Sequence, residues 1–191
     1  MALKRSDKLS IVHTDLFELD VDAIVNPINT DLILGAGIAG ELRKRGGMDI
    51  QEECLEIGSI PIGQAVNTSG GNLKVPHVIH AATMKIGGVT TEANLISSIE
   101  SVSRRIRELN IARVAFPPMG IGVGRFPVRR SAEVMIETIY GAVLRRRCIE
   151  QVILVLPDED MCTLFEETHA RLTGESGDAA DINDQQVKDN A

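Results

Sequence analysis

Two runs of apolar residues constrain the fold of this chain more than any other feature of its sequence. They read Q-V-I-L-V-L over Gln151–Leu156 and V-P-H-V-I-H-A-A over Val75–Ala82. A strand that is apolar along most of its length is typical of a sheet that is buried on both faces. The chain must therefore supply helices to both faces of a central sheet.

The rest of the sequence alternates between short strands and amphipathic helices. The strongest helix prediction covers Glu92–Leu109, where leucine, isoleucine and valine recur at helical spacing along one face. Further strands are predicted at Leu9–His13, Ala23–Val25, Ala65–Thr68 and Arg113–Phe116, and further helices at Gly37–Arg45, Ile50–Ile57, Val128–Arg147 and Glu159–Leu172. We therefore predict an α/β fold, a three-layer α/β/α domain with a largely parallel sheet.

Length and charge indicate a single domain with an acidic tail. A chain of 191 residues suits one hydrophobic core, which must be aliphatic because aromatic residues make up only 3%. The net charge is −7, and residues 174–191 hold five carboxylates against one lysine, so the body is nearly neutral. We expect residues 1–8 to be a flexible N-terminal segment, 9–173 the folded domain and 174–191 a disordered tail.

The N-terminal residues and the cysteines favour a cytoplasmic protein. Met1–Asp7 is charged and lacks an apolar signal region, and no apolar run is long enough to span a membrane. Cys54, Cys148 and Cys162 lie far apart without a C-x-x-C pair, which is typical of reduced thiols. We predict no metal site, no cofactor and no membrane partner.

Two glycine-rich segments carry the strongest functional signal. Gly35–Gly40 reads G-A-G-I-A-G and Gly120–Gly124 reads G-I-G-V-G, each between a predicted strand and a predicted helix. Glycine lets backbone N–H groups point into a concavity, and a helix N-terminus adds positive potential. Two such loops in one domain suit a diphosphate. The alternative is that these glycines only turn the chain.

The first loop also matches G-x-G-x-x-G, which leaves an NAD-dependent oxidoreductase open as an alternative. A dinucleotide-binding fold needs a strand that runs into the first glycine, and an acidic residue at a strand end about twenty residues later. Here the polar segment Asn26–Asp31 reads as a turn, and Glu53 and Glu56 fall inside a predicted helix. The pattern therefore favours a phosphate loop of another kind.

Several motifs in order resemble the macro domain family. D-V-D-A-I-V-N-P-I-N over Asp20–Asn29 resembles its opening motif, and the two glycine loops resemble its two phosphate loops. P-I-G-Q-A at Pro61–Ala65 and V-I-H-A-A at Val78–Ala82 follow in the family's order. The resemblance covers about residues 9–172. It implies a macro domain with a mixed sheet that binds ADP-ribose or a derivative in a surface cleft.

The resemblance also implies roles for individual residues. Asp15, followed by Leu16, would accept a hydrogen bond from the adenine amino group, although a turn-capping aspartate is the alternative. Asn29 would hold the distal ribose and is a catalytic candidate, and Asn26 would brace the loop. Phe126 would stack on that ribose, with packing in the core as the alternative. The residues expected to wrap the diphosphate are Gly35, Ala36, Gly37, Ile38, Ala39, Gly120, Ile121, Gly122, Val123 and Gly124, and Leu16 and Met119 are further ligand-binding candidates.

The resemblance leaves catalysis open. Hydrolytic relatives carry an aspartate after the glycine run where this chain has Ile38-Ala39-Gly40, so the usual group that aligns an attacking water is missing. Weak hydrolysis of ADP-ribosyl or O-acetyl-ADP-ribose esters would depend on substrate alignment, and a dedicated ADP-ribosyl hydrolase is the alternative. Lys85 matches the place of an attacking lysine in another branch, but a protonated lysine cannot attack, and an ordinary surface lysine is the simpler interpretation. Q-E-E at Gln51–Glu53 resembles a motif of poly(ADP-ribose) glycohydrolases, but it lies within a predicted helix farther from the glycine loop, and we interpret this match as coincidental.

Two further features bear on ligands. The family often places an aromatic residue near Leu156–Asp158, and this chain has none there. A lost base–aromatic stack costs about 1–3 kcal/mol, so we expect micromolar rather than tighter binding. Arginine clusters within residues 104–107, 129–130 and 145–147 leave RNA or poly(ADP-ribose) binding open, with solvated helix faces as the simpler interpretation. ADP-ribosylated macromolecules are the other partners to consider.

Overall fold

A computed structural model describes residues 6–174, and within them six strands form one sheet. The strands are β1 (Leu9–His13), β2 (Ala23–Asn29), β3 (Ala65–Ser69), β4 (His77–Met84), β5 (Arg113–Phe116) and β6 (Gln151–Leu156). Their order is β1-β6-β5-β2-β4-β3. The edge strand β3 pairs antiparallel with β4, and the other neighbours pair parallel. The prediction of a mixed, largely parallel sheet is confirmed.

Helices cover both faces of this sheet. The described residues form α1 (Gly37–Gly46), α2 (Asp49–Ile57), α3 (Glu92–Glu108), α4 (Val128–Thr138) and α5 (Glu159–Thr173). Helices α3, α4 and α5 pack on one face, around a core that contains Phe116 and Phe165. Helices α1 and α2 pack on the other face, where Leu42 and Ile50 are buried. The three-layer arrangement is therefore confirmed.

Strand β2 is longer than predicted, since it continues past Val25 to Asn29. The polar residue Asn26 lies inside the sheet, opposite His80 of β4. Its Nδ2 is 3.0 Å from His80 Nδ1, so a side-chain hydrogen bond allows this amide to be buried. The interpretation of Asn26–Asp31 as a turn was therefore wrong for its first four residues.

Strand β4 and helix α4 also differ from prediction. Strand β4 begins at His77 rather than Val75, because Pro76 has no N–H group for the ladder. Helix α4 ends at Thr138, and a π-helical turn follows over Ile139–Val143, so the prediction of a helix to Arg147 was wrong. Gly141 lies within that turn, where its low helix propensity weakens regular α-helix.

The structure describes only part of the two chain ends that flank the predicted folded domain. Residues 1–5 and the predicted tail from 175 lie outside the described residues. Ser6 N donates to Tyr140 Oη at 3.2 Å, and Lys8 Nζ donates to Ile149 O at 2.5 Å, so residues 6–8 contact the body. Within residues 6–174 no helix is long and apolar enough to cross a membrane. The cytoplasmic location stays a prediction.

Candidate functional site

A cleft of about 640 Å³ opens where the parallel strands end. Segments that follow β2, β4, β5 and β6 line it, as expected for the carboxyl edge of an α/β sheet. The first glycine loop contributes Gly35–Ala39, and the second contributes Gly120–Gly124. The two loops that sequence singled out therefore meet at one concavity.

The lining of this cleft carries no charge among the described residues. Its polar side chains there are those of Asn29 and Thr83, and the others are aliphatic, glycine, proline or methionine. No described lining residue has an ionisable side chain. The cleft therefore meets a ligand through backbone dipoles, two neutral polar side chains and apolar contacts.

The first glycine loop leads into the N-terminus of helix α1, which no side chain caps. Helix α1 begins at Gly37, and its N-cap residue Ala36 offers no side-chain hydrogen bond. Gly37 has a φ of 59°, and a Cβ on Gly40 would lie 2.8 Å from Gly35 O. These positions require glycine, and the first-turn N–H groups of α1 stay available to an acceptor in the cleft.

Asn29 braces the turn that leads into this loop. Its Oδ1 accepts hydrogen bonds from Asp31 N at 3.0 Å and Ile33 N at 3.3 Å, and its Nδ2 donates to Ile33 O at 3.0 Å. The bracing role predicted for Asn26 therefore belongs to Asn29. Because Nδ2 carries two hydrogens, Asn29 can also donate to a ligand from the cleft wall.

Gln51, in helix α2, also forms hydrogen bonds with the backbone of this turn. This side chain is 6% exposed. Its Oε1 accepts from Leu34 N at 2.8 Å, and its Nε2 donates to Leu32 O at 3.2 Å. This contact was not predicted from the sequence. A glutamine one turn before buried Cys54, on the apolar face of a helix, was the available signal.

The second glycine loop is shaped by Thr90, which precedes α3. Thr90 N donates to Gly124 O at 2.8 Å. A Cβ on Gly120 would lie 2.9 Å from Thr90 Cγ2, and Gly120 and Gly122 have φ values of 79° and 65°. The short 3-10 turn at Gly122–Gly124 also has no side-chain cap. No capping side chain therefore occupies the N–H groups that begin this turn, which borders the cleft.

Asp15 lies at the β1–β6 end of the cleft. Its carboxylate accepts from Phe17 N at 2.9 Å, which caps the 3-10 turn at Leu16–Glu18, and from Arg45 Nη1 at 2.6 Å. These hydrogen bonds, that of Arg45 above all, lower the pKa of Asp15. Since His13 pairs with Leu156, Asp15 lies beyond the same strand ends as Pro157 of the cleft wall. The capping alternative is confirmed, and the adenine contact stays a prediction.

Five predicted residues lie outside the described lining, which includes neither Asp15 nor Lys85 nor Phe126. The side chains of Leu16 and Met119 are 5% and 0% exposed and pack in the two cores, and a ligand contact at these two positions stays a prediction. Motif order assigns these positions to the site but does not say which way a side chain points.

Phe126, Lys85 and Phe165 lie outside the described lining of the cleft. Phe126 packs against the α3–α4 core, and its N–H donates to Gly120 O at 3.0 Å. Lys85 is exposed, although its neighbours Met84 and Ile86 line the cleft. Phe165 is fully buried, so it cannot replace the missing aromatic residue at the β6 end.

His80 forms a buried cluster beneath the site. Its ring lies 2.9 Å from Thr68 Oγ1 and 3.7 Å from Cys54 Sγ. Burial lowers the pKa of His80 to about 3 and raises that of the Cys54 thiol to about 12, so both groups are neutral. Neither His80 nor Cys54 is among the described lining residues of the cleft.

Sequence comparisons identify relatives across the folded body. The family model described as the macro domain matches residues 25–135. A macro domain-containing protein of Cupriavidus necator is 36% identical over 167 residues, which are 84% of this chain and 96% of that protein. An uncharacterized protein of Aquifex aeolicus is 38% identical over 166 residues, covering 83% and 96%.

Solved structures agree on the fold. An Oceanobacillus iheyensis macrodomain with ADP has a TM-score of 0.79 at 21% identity, covering 92% of this chain and 98% of that one. A Trypanosoma brucei macrodomain in complex with ADP-ribose has a TM-score of 0.76 at 19% identity, covering 84% and 68%. The architecture and the sequence relatives lead to one conclusion: this chain belongs to the macro domain family.

Proposed function

We propose that this protein binds ADP-ribose, or a derivative of it, in the cleft at the carboxyl ends of the strands. One observation carries the proposal: two uncapped glycine turns border a cleft whose described lining has no charged side chain. A diphosphate needs donors, and these turns offer backbone N–H groups together with the dipole of α1. The macrodomains of Oceanobacillus iheyensis and Trypanosoma brucei with ADP and ADP-ribose support the same ligand class.

The sheet order supports one orientation of the ligand. The cleft runs from Pro157 after β6, across the glycine loops, to Thr83 and Ile86 beside β4. Asp15 lies at the β6 end, where its carboxylate suits the adenine amino group. Asn29 and Thr83 supply neutral donors and acceptors at the other end, which suits ribose hydroxyls. Adenine therefore binds beside β6 and the distal ribose beside β4.

The side chains that line the cleft support ligand binding rather than rapid catalytic turnover. General acid–base catalysis needs an ionisable group within hydrogen-bond reach of the reacting atoms, and the described lining has none. At an acyl ester on the anomeric carbon, water can attack that carbon, the carbon–oxygen bond breaks, the carboxylate leaves without being protonated, and the proton of the water passes to solvent. Slow hydrolysis is therefore confined to such acyl esters of ADP-ribose. A dedicated hydrolase of other ADP-ribosyl linkages would need a group that these residues do not offer.

Isothermal titration of the full chain with ADP-ribose, ADP, AMP and NAD tests the proposal. We expect micromolar affinity for ADP-ribose and a clear loss of affinity for AMP, because AMP lacks the second phosphate and the distal ribose. Absence of ADP-ribose binding at millimolar ligand would overturn the proposal. Equal affinity for ADP-ribose and AMP would overturn the assignment of the glycine loops.

A further inference from the structure

The turn between β2 and α1 contains a residue in an unfavourable backbone conformation. Leu32 has a φ of 54°, which side chains with a Cβ rarely adopt. Its side chain is fully buried beneath the sheet, as is that of Leu34. Such a conformation persists only where the surrounding structure holds it in place.

The side-chain amide of Gln51 supplies that support through both its oxygen and its nitrogen. Its bonds to Leu34 N and Leu32 O satisfy one peptide donor and one peptide acceptor inside the core. Since Gln51 is itself buried, water cannot readily replace either bond. A side chain without these groups would leave both peptide groups unpaired and favour another conformation of the turn.

The clamped turn continues directly into the cleft wall. Gly35 follows Leu34, and its N–H donates to Ile33 O at 3.0 Å. Gly35, Ala36 and Gly37 then line the cleft. A shift of Leu34 would therefore move the first N–H groups of α1 away from the place where a diphosphate binds.

We propose that Gln51 is a positioning residue for ligand binding, which sets the first glycine loop without touching the ligand. This inference rests on the proposed function. If the loop holds its binding conformation for only a fraction of the time, the measured affinity equals the intrinsic affinity multiplied by that fraction. Removal of Gln51 should therefore cost affinity beyond any general loss of stability.

The test compares Gln51→Met with Cys54→Ala in titrations with ADP-ribose. Methionine keeps the length of the side chain but makes neither hydrogen bond. Cys54 lies one turn further along α2, is fully buried and has no hydrogen bond to the loop. We expect about a tenfold or greater loss of affinity in Gln51→Met and little change in Cys54→Ala, at similar losses of thermal stability.

Amide exchange in the unliganded protein gives a readout that general destabilisation does not reproduce. The N–H groups of Leu34 and Gly35 should exchange faster in Gln51→Met, while those of β4 keep their protection. Gln51→Asn keeps the amide but cannot reach both partners, so it should fall between wild type and Gln51→Met and serves if the methionine variant fails to fold.

The outcomes separate this inference from the proposed function. If wild type does not bind ADP-ribose, the proposed function fails and this inference fails with it. If wild type binds, and Gln51→Met binds equally well or loses no more affinity than Cys54→Ala, the inference alone is overturned.

Discussion

Thr90 and Gly124 are joined so closely that each restricts the other. Thr90 N donates to Gly124 O at 2.8 Å, and a Cβ on Gly124 would fall well inside contact distance of Thr90 Oγ1. The segment between β4 and α3, which contains Thr90, therefore packs against the second glycine loop. The loop takes its shape from a residue 34 positions earlier in the chain.

Gly124→Ala should weaken ADP-ribose binding by about tenfold or more, because the new methyl group must displace Thr90 or the loop. Titration calorimetry measures the loss. Gly141→Ala is the matched control, since a Cβ there meets no atom within 4 Å. Thr90→Ala combined with Gly124→Ala should recover part of the affinity. An unchanged affinity in the single variant would refute the account of this loop.

Thr90→Val should leave the free energy of unfolding unchanged or raise it by about 1 kcal/mol. The Thr90 hydroxyl is buried and has no hydrogen-bond partner among residues 6–174, so valine removes an unsatisfied group at nearly constant shape. Urea denaturation measures the difference. Thr68→Val is the comparison, because it removes a hydroxyl that contacts His80 and should destabilise. A loss of stability in Thr90→Val would show that its hydroxyl has a partner.

Asp15→Ala should weaken ADP-ribose binding by about tenfold or more, because a charge-assisted hydrogen bond to adenine is lost. Glu18→Gln controls for the change in charge around Arg45, which Glu18 also contacts at 2.6 Å. That variant should bind like wild type. Equal affinities of wild type and Asp15→Ala would mean that adenine does not bind at the β6 end.

The affinity for ADP-ribose should be constant between about pH 5 and pH 8. No described lining residue titrates, and the hydrogen bond from Arg45 holds the pKa of Asp15 below its ordinary value. The carboxylate is therefore ionised across this pH range, and the adenine contact should weaken only at pH values below the ordinary pKa of aspartate. A sigmoidal loss of affinity near pH 6.5 in calorimetric titrations would point to a histidine instead.

The sequence predicted the layers of this fold because their signals are local. The unbroken apolar run at Gln151–Leu156 and the helical face of Glu92–Leu109 each lie within one element, and the structure has both nearly as predicted. The π-helical turn after Thr138 was missed, since the apolar spacing continues through it. Glycine marked the two loops because a positive φ or a close backbone approach leaves a local trace.

The hydrogen bonds that fix the two glycine loops could not be predicted from local sequence patterns. Gln51 contacts Leu34 across 17 residues, and Thr90 contacts Gly124 across 34, so no local pattern links the members of either pair. Asn29 was expected to meet a ribose, whereas the structure also gives it three hydrogen bonds within its own turn. Side-chain direction at Leu16 and Met119 followed from packing rather than from motif order.

Titration of the ¹⁵N-labelled protein with ADP-ribose, followed by NMR, tests the central claim most directly. The account predicts saturable shifts of the amide signals of Gly35–Ala39 and Gly120–Gly124, the two loops that border the cleft. Adenosine, which lacks the diphosphate, should leave most of these signals in place. Saturable ADP-ribose binding that leaves both loops unshifted, or no shifts at millimolar ligand, would contradict the account.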